Sequence, residues 1–197
     1  MANEAEKNEL SSAMQALYTG GREAAEALVP ADERLDVYEA AAFGRIDRLR
    51  DHLREYPAAA NGFSPDGFTP LHLACFSGGA EAAQVLIEGG AELETLSQHA
   101  TIKVRPLGTA VFSRDLESAR VLLEAGADPN GRGEGGFRPL HTAATNGDLE
   151  LIRLLLAHGA DRSAALPDGR TPGDLARERA HEGPAAALRE AGLPPYT

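Results

Sequence analysis

The sequence predicts an all-α solenoid in which helix pairs stack side by side and hairpin-like loops project from one edge. Three observations carry this. The dipeptide Pro-Leu recurs at Pro70, Pro106 and Pro139, with an echo at Pro172, at separations of 36, 33 and 33 residues. Gly90-Ala91, Gly126-Ala127 and Gly159-Ala160, followed by Gly192, keep the same separations. Between these markers a small residue (Ala74, Ala110, Ala143, Ala176) and a large one (Leu86, Leu122, Leu155, Leu188) return at fixed distances from the proline. A period of this length marks supersecondary units that bury their apolar faces only against their neighbours.

Each unit follows from its residues. Residues 1–32 are predicted to form a capping helix pair, because Gly20 to Val29 is patterned like Gly78 to Ile87. The 24 residues from Gly20 to Gly44 also leave no room for a projecting hairpin. Residues 33–65 form a degenerate first repeat in which Ala40 stands for Ala74 and Gly44 for Gly78. In residues 66–101, Thr69 caps a helix that Pro70 opens, since the first-turn N–H of a helix has no intrahelical partner to lose. Gly78 breaks that helix, a more apolar helix follows, and Gly90 ends it.

The link from Leu93 to Arg105 is three residues longer than its counterparts and is expected to protrude, with His99 as a solvated loop residue. Residues 102–134 and 135–166 repeat the plan, with Gly108 and Arg114 as departures in the former and Glu150 to Leu156 as the second helix of the latter. Residues 167–192 are polar and degenerate, as a terminal unit facing water must be, and are predicted to be the C-terminal cap. Residues 193–197 form a tail.

Composition narrows the function classes. A formal charge of -11 repels phosphate backbones, so nucleic acid is not an expected partner. Cys75 is the only cysteine, which rules out an intramolecular disulfide and a thiolate metal site built from this chain alone. No apolar stretch has the length of a membrane span and Met1 to Lys7 does not read as a secretion signal, so a cytoplasmic location is expected. Arginine in place of lysine, with abundant Ala and Gly, fits a bacterial coding sequence. No phosphate loop, dinucleotide fingerprint, zinc-protease motif or nucleophile elbow is present; no cofactor, metal or small-molecule substrate is expected.

Thr69-Pro70-Leu71-His72-Leu73-Ala74 and the run from Leu122 to Asn130 resemble the ankyrin repeat, whose units open on TPLHxA and close on GAD-x-N. The resemblance extends over residues 33–192. It implies a helix, a turn, an antiparallel helix and a β-hairpin-like loop per unit, and it gives His72 and His141 the structural role of bridging neighbouring loops. It further implies a non-enzymatic, monomeric module that binds an unidentified partner protein through its concave face and loop tips. The alternatives are a regulatory or inhibitory subunit of an enzyme encoded nearby, or an enzyme with an unrecognised site.

Laid in register, Phe43, Phe68, Phe76, Phe112 and Phe137 fall at places that line the concave face in this family. The reading is an aromatic patch centred on Phe76 and Phe112. Ser77, Val104, Ser113, Thr145, Asn146, Arg170 and Arg179 complete the expected partner-binding set. The competing reading folds each ring back over a neighbouring loop.

Overall fold

The computed structural model describes residues 10–29, 31, 34–77 and 79–189. Numbered in chain order, its helices are α1 (Ser12–Glu26), α2 (Val37–Ala42), α3 (Ile46–Glu55), α4 (Pro70–Phe76), α5 (Ala80–Glu88) and α6 (Pro106–Phe112). They continue as α7 (Leu116–Glu124), α8 (Pro139–Asn146), α9 (Leu149–Ala157), α10 (Pro172–Glu178) and α11 (Glu182–Arg189). There is no strand among the described residues. Gly78, Gly192 and the 193–197 tail lie outside them.

Local chemistry sets these boundaries. Pro70, Pro106, Pro139 and Pro172 each stand in a first turn, and the Thr69 and Thr171 hydroxyls accept the His72 and Asp174 amides. Asp36, Asp115 and Asp148 cap α2, α7 and α9 in the same way. Arg114 replaces glycine after α6 and holds a φ of 59°, while its guanidinium donates to the Asn146 carbonyl at 2.9 Å.

Helices α2, α4, α6, α8 and α10 pack one on the next as an inner layer, and α3, α5, α7, α9 and α11 do so as an outer layer. The core lies between them. Ala40, Ala74, Ala110, Ala143 and Ala176 are fully buried and let helix axes approach closely, while Leu49, Leu71, Leu86, Leu122, Leu151 and Leu155 fill the space beside them.

The loops repeat one turn: the amides of Ser64, Gly133 and Leu166 donate to the carbonyls of Phe68, Phe137 and Arg170 at 2.7–2.9 Å. Side chains tie unit to unit at their base. Asn61 bonds Gly90 O and the Glu92 amide, Asn130 bonds Gly159 O and the Asp161 amide, and Glu94 accepts the Asp128 amide between them.

Two expectations are corrected. The 93–105 link does not stand free: the Ser97 amide pairs with Val104 O at 2.9 Å, and the Gln98 amide reaches across to Gly67 O at 2.7 Å. The three extra residues lay the loop on the neighbouring hairpin because backbone groups there have partners within reach. At the N-terminus the described residues hold two helical segments, 12–20 and 22–26, parted by a break at Gly21 (φ 77°). They lie against Ala42, Phe43 and Leu73 of the inner layer instead of stacking as one more unit of the row. Residues 1–9, 30, 32 and 33 of the expected cap lie outside the described residues.

Candidate functional site

Helix α1 sits on the open face of the inner layer. Ala13, Met14 and Leu17 share one side of the helix and pack with Ala25, Ala42, Phe43 and Leu73 in a second core cluster, flanked by Phe68 and Phe76. Tyr18 meets Phe76 edge to face at 5.5 Å, and its hydroxyl donates to Asp66 at 2.7 Å. Past the break at Gly21, the Arg22 guanidinium donates to Ser77 O and Phe43 O at 2.8 and 3.0 Å. Those carbonyls stand at the C-terminal ends of α4 and α2, where a cation meets the negative end of each helix dipole.

Beyond α1 the same face is open. A groove of about 770 Å³ runs from Leu10 and Tyr18 along α4, α6 and α8, walled on the other side by the loops. Its floor and walls include Phe68, Leu73, Phe76, Val104, Leu107, Phe112 and Phe137. Phe112 is 65% exposed, whereas Phe76 is partly covered. His99 is not the free loop residue expected: its ring stacks on Phe68 at 5.3 Å and its Nδ1 accepts the Thr101 and Ile102 amides. Ile102 lines the groove and is 49% exposed.

The residues read from the sequence therefore divide. Phe68, Phe76, Val104, Phe112 and Phe137 line the open groove. Phe43 does not: it is fully buried, because α1 covers it. Ser77 bonds to Ala42 O, Thr145 to His141 O, and Asn146 to Val111 O, while Ser113 stands beside Ser77 and Phe76 in a smaller recess. Arg170 pairs with Asp168 in its own loop and with Glu178 at the end of α10, and neither it nor Arg179 lines the groove. Sequence reasoning missed Leu10, Tyr18 and Ile102. The apolar stripe of Ala13, Met14 and Leu17 ahead of Gly20-Gly21 was the available signal.

The titratable groups are positioned for packing. His72 is buried, its Nε2–H donates to Val104 O at 2.9 Å, and its Nδ1 accepts from Thr69, which fixes the neutral tautomer. His141 holds Ala164 O through Nε2 and accepts the Arg138 amide through Nδ1. Burial lowers the pKa of both, and that of His72 to about 4. Burial likewise pushes the Cys75 thiol up, which leaves it protonated and a poor nucleophile. No group of three His, Cys, Asp or Glu residues suited to a metal occurs among the described residues, and none of their helices is long and apolar enough to cross a membrane.

A pH prediction follows. A histidine whose folded pKa lies below its unfolded value of 6.5 binds its proton more readily when unfolded. Its neutral-state stability is intact above pH 6.5 and is lost as the pH falls toward 4. Between pH 7.5 and pH 5, urea titrations are expected to show a loss of about 2 kcal/mol from His72. The variant His72→Gln should flatten that dependence; an unchanged slope would assign it to other groups.

Two family models match the chain. The description "Ankyrin repeat" covers residues 66–96, which hold α4 and α5, and "Ankyrin repeats (many copies)" covers residues 109–156, from within α6 to the end of α9. No curated protein matches the chain. With its helix pairs in two layers and its histidines bonded to the following loop, the chain carries ankyrin repeats over residues 66–96 and 109–156, and such repeats are generally protein-interaction modules.

Proposed function

We propose that the protein is a non-enzymatic module that holds an apolar segment of a partner protein in the groove along α4, α6 and α8. The observation that carries this reading is Phe112: a ring 65% exposed, at the centre of an apolar channel that continues to Phe76 on one side and Phe137 on the other. Exposed aromatic surface of this kind costs solubility unless a partner covers it. Burying such a ring yields about 1.5–3 kcal/mol, so two or three rings supply a useful share of an interface. Polar residues that line the same groove, among them Lys103, Glu134 and Thr142, supply the rim that such an anchor needs.

The test is site-directed photocrosslinking in the native cell. A photoreactive phenylalanine analogue at Phe112 is expected to trap one protein, and the same analogue at Arg153, on the outer layer, none. The variant Phe112→Ser should lose that partner with a melting temperature within about 1 °C of the parent, since an exposed side chain contributes little to stability. Equal trapping at both positions, or retention by Phe112→Ser, would overturn the reading.

A further inference from the structure

The groove is half filled by the chain itself, and the filling shows what it accepts. Over α2 and α4 the occupant is a helix whose Ala13, Met14 and Leu17 face inward, while Gln15 and Thr19 stay in water. Leu10, at the start of that helix, also lines the open half, so the filled and open surfaces are continuous. Space lined by Leu10, Leu73, Phe76 and Leu107, with Lys103, Arg105 and Glu134 among its polar residues, thus continues from α1 as far as Phe112.

The fastenings of α1 are of a kind that can be exchanged. Among the described residues its groove segment packs on the inner layer from one side only, and Tyr18 to Asp66 is an exposed hydrogen bond that water can replace. The break at Gly21 separates the segment that carries Met14 and Leu17 from the Glu26 ion pair with Arg45 at 2.7 Å, so the first can leave while the second stays. Leaving uncovers Phe43 and Phe76, and a second apolar helix laid over them restores what is lost. A ligand shifts such an equilibrium by its preference for the uncovered state.

We propose that the groove is a receptor for an amphipathic helix and that α1 is its resident, exchangeable occupant. A partner helix with an Ala/Met/Leu stripe of the α1 kind replaces the 10–20 segment over Phe43 and Phe76 and runs on toward Phe112. This rests on the groove being the partner site.

The probe is a labelled synthetic peptide of residues 10–29, titrated into the full-length chain and into its double variant Met14→Asp/Leu17→Asp, with hydrogen exchange followed in both. A short tether presents the resident helix at an effective concentration of ~1 mM, which outcompetes a peptide in solution. The peptide is therefore expected to bind the double variant at least ~10-fold more tightly than the parent. In the parent, α1 amides are expected to exchange far faster than those of α4 to α9. In the variant they should lose protection, with α4 to α9 unchanged.

Two results overturn the proposal: equal or absent binding in a folded variant whose α1 is unprotected, or α1 amides in the parent that exchange only with the slowest amides of the stack. Should the double variant fail to fold, the exchange pattern of the parent decides alone. Crosslinking of a partner at Phe112 with α1 still fully protected would keep the partner site and reject the exchange of α1.

Discussion

Replacing Phe43 by alanine is expected to lower stability by about 3–5 kcal/mol and the melting temperature by roughly 10 °C. Phe43 is the largest fully buried side chain among the described residues. It stands at the end of α2 beneath α1, in the cluster that joins Met14 and Leu17 to Leu73. Deleting its ring leaves a cavity between a helix held by few contacts and the inner layer, with little else to collapse into it. The loss is expected to be local, since each unit of a repeat stack depends on its neighbours: exchange should rise first in α1 to α3 while α8 to α11 keep their protection. Phe112→Ala is the matched comparison, with the same atoms removed from an exposed site and little change expected. A fall of less than about 2 °C for Phe43→Ala would mean that α1 does not cover that ring in solution.

The contrast between these two phenylalanines shows what a sequence of this type reveals. Register in a repeat assigns a residue to a face, and it assigned Phe43 and Phe112 to the same one. It says nothing of what else lies on that face. The two layers, the proline-opened helices and the alanine contacts were legible because each rests on local rules repeated several times: a cap, a first-turn proline, a small residue at a helix crossing. Helix α1 occurs once. Its Ala- and Gly-rich pattern matched that of a stacked helix, and a short helix with a stripe of small residues can pack on any shallow apolar surface.

The long loop was misjudged for another reason. Its anchoring bond, from the Gln98 amide to Gly67 O, joins two backbone groups, and side-chain identity encodes backbone pairing only indirectly. Arg170, expected in the partner-binding set, is instead paired with Asp168 and Glu178, a local ion pairing that register does not reveal.

Gly67 carries the one trace of that pairing in the sequence, and Gly67→Ala is expected to cost about 2–4 kcal/mol and to release the long loop from the groove. Its φ of 86° is unfavourable for any side chain, and a Cβ there would lie 2.5 Å from the His99 nitrogen and 2.6 Å from the Gln98 carbonyl carbon. Both are backbone atoms, so the loop must retreat. Retreat breaks the Gln98 bond, unstacks His99 from Phe68, and draws Val104 O away from His72. Gly90→Ala separates the causes: Gly90 has a φ of 87° with nothing within 4 Å of an added Cβ, so it bears the conformational cost, about 1–2 kcal/mol, without the clash. Proton spectra of His99 read the loop directly, because the Phe68 ring shifts its signals while the two are stacked. Gly67→Ala should move those signals to loop-like positions and Gly90→Ala should not; equal melting temperatures and unmoved His99 signals in the two variants would show that the loop is not seated on Gly67.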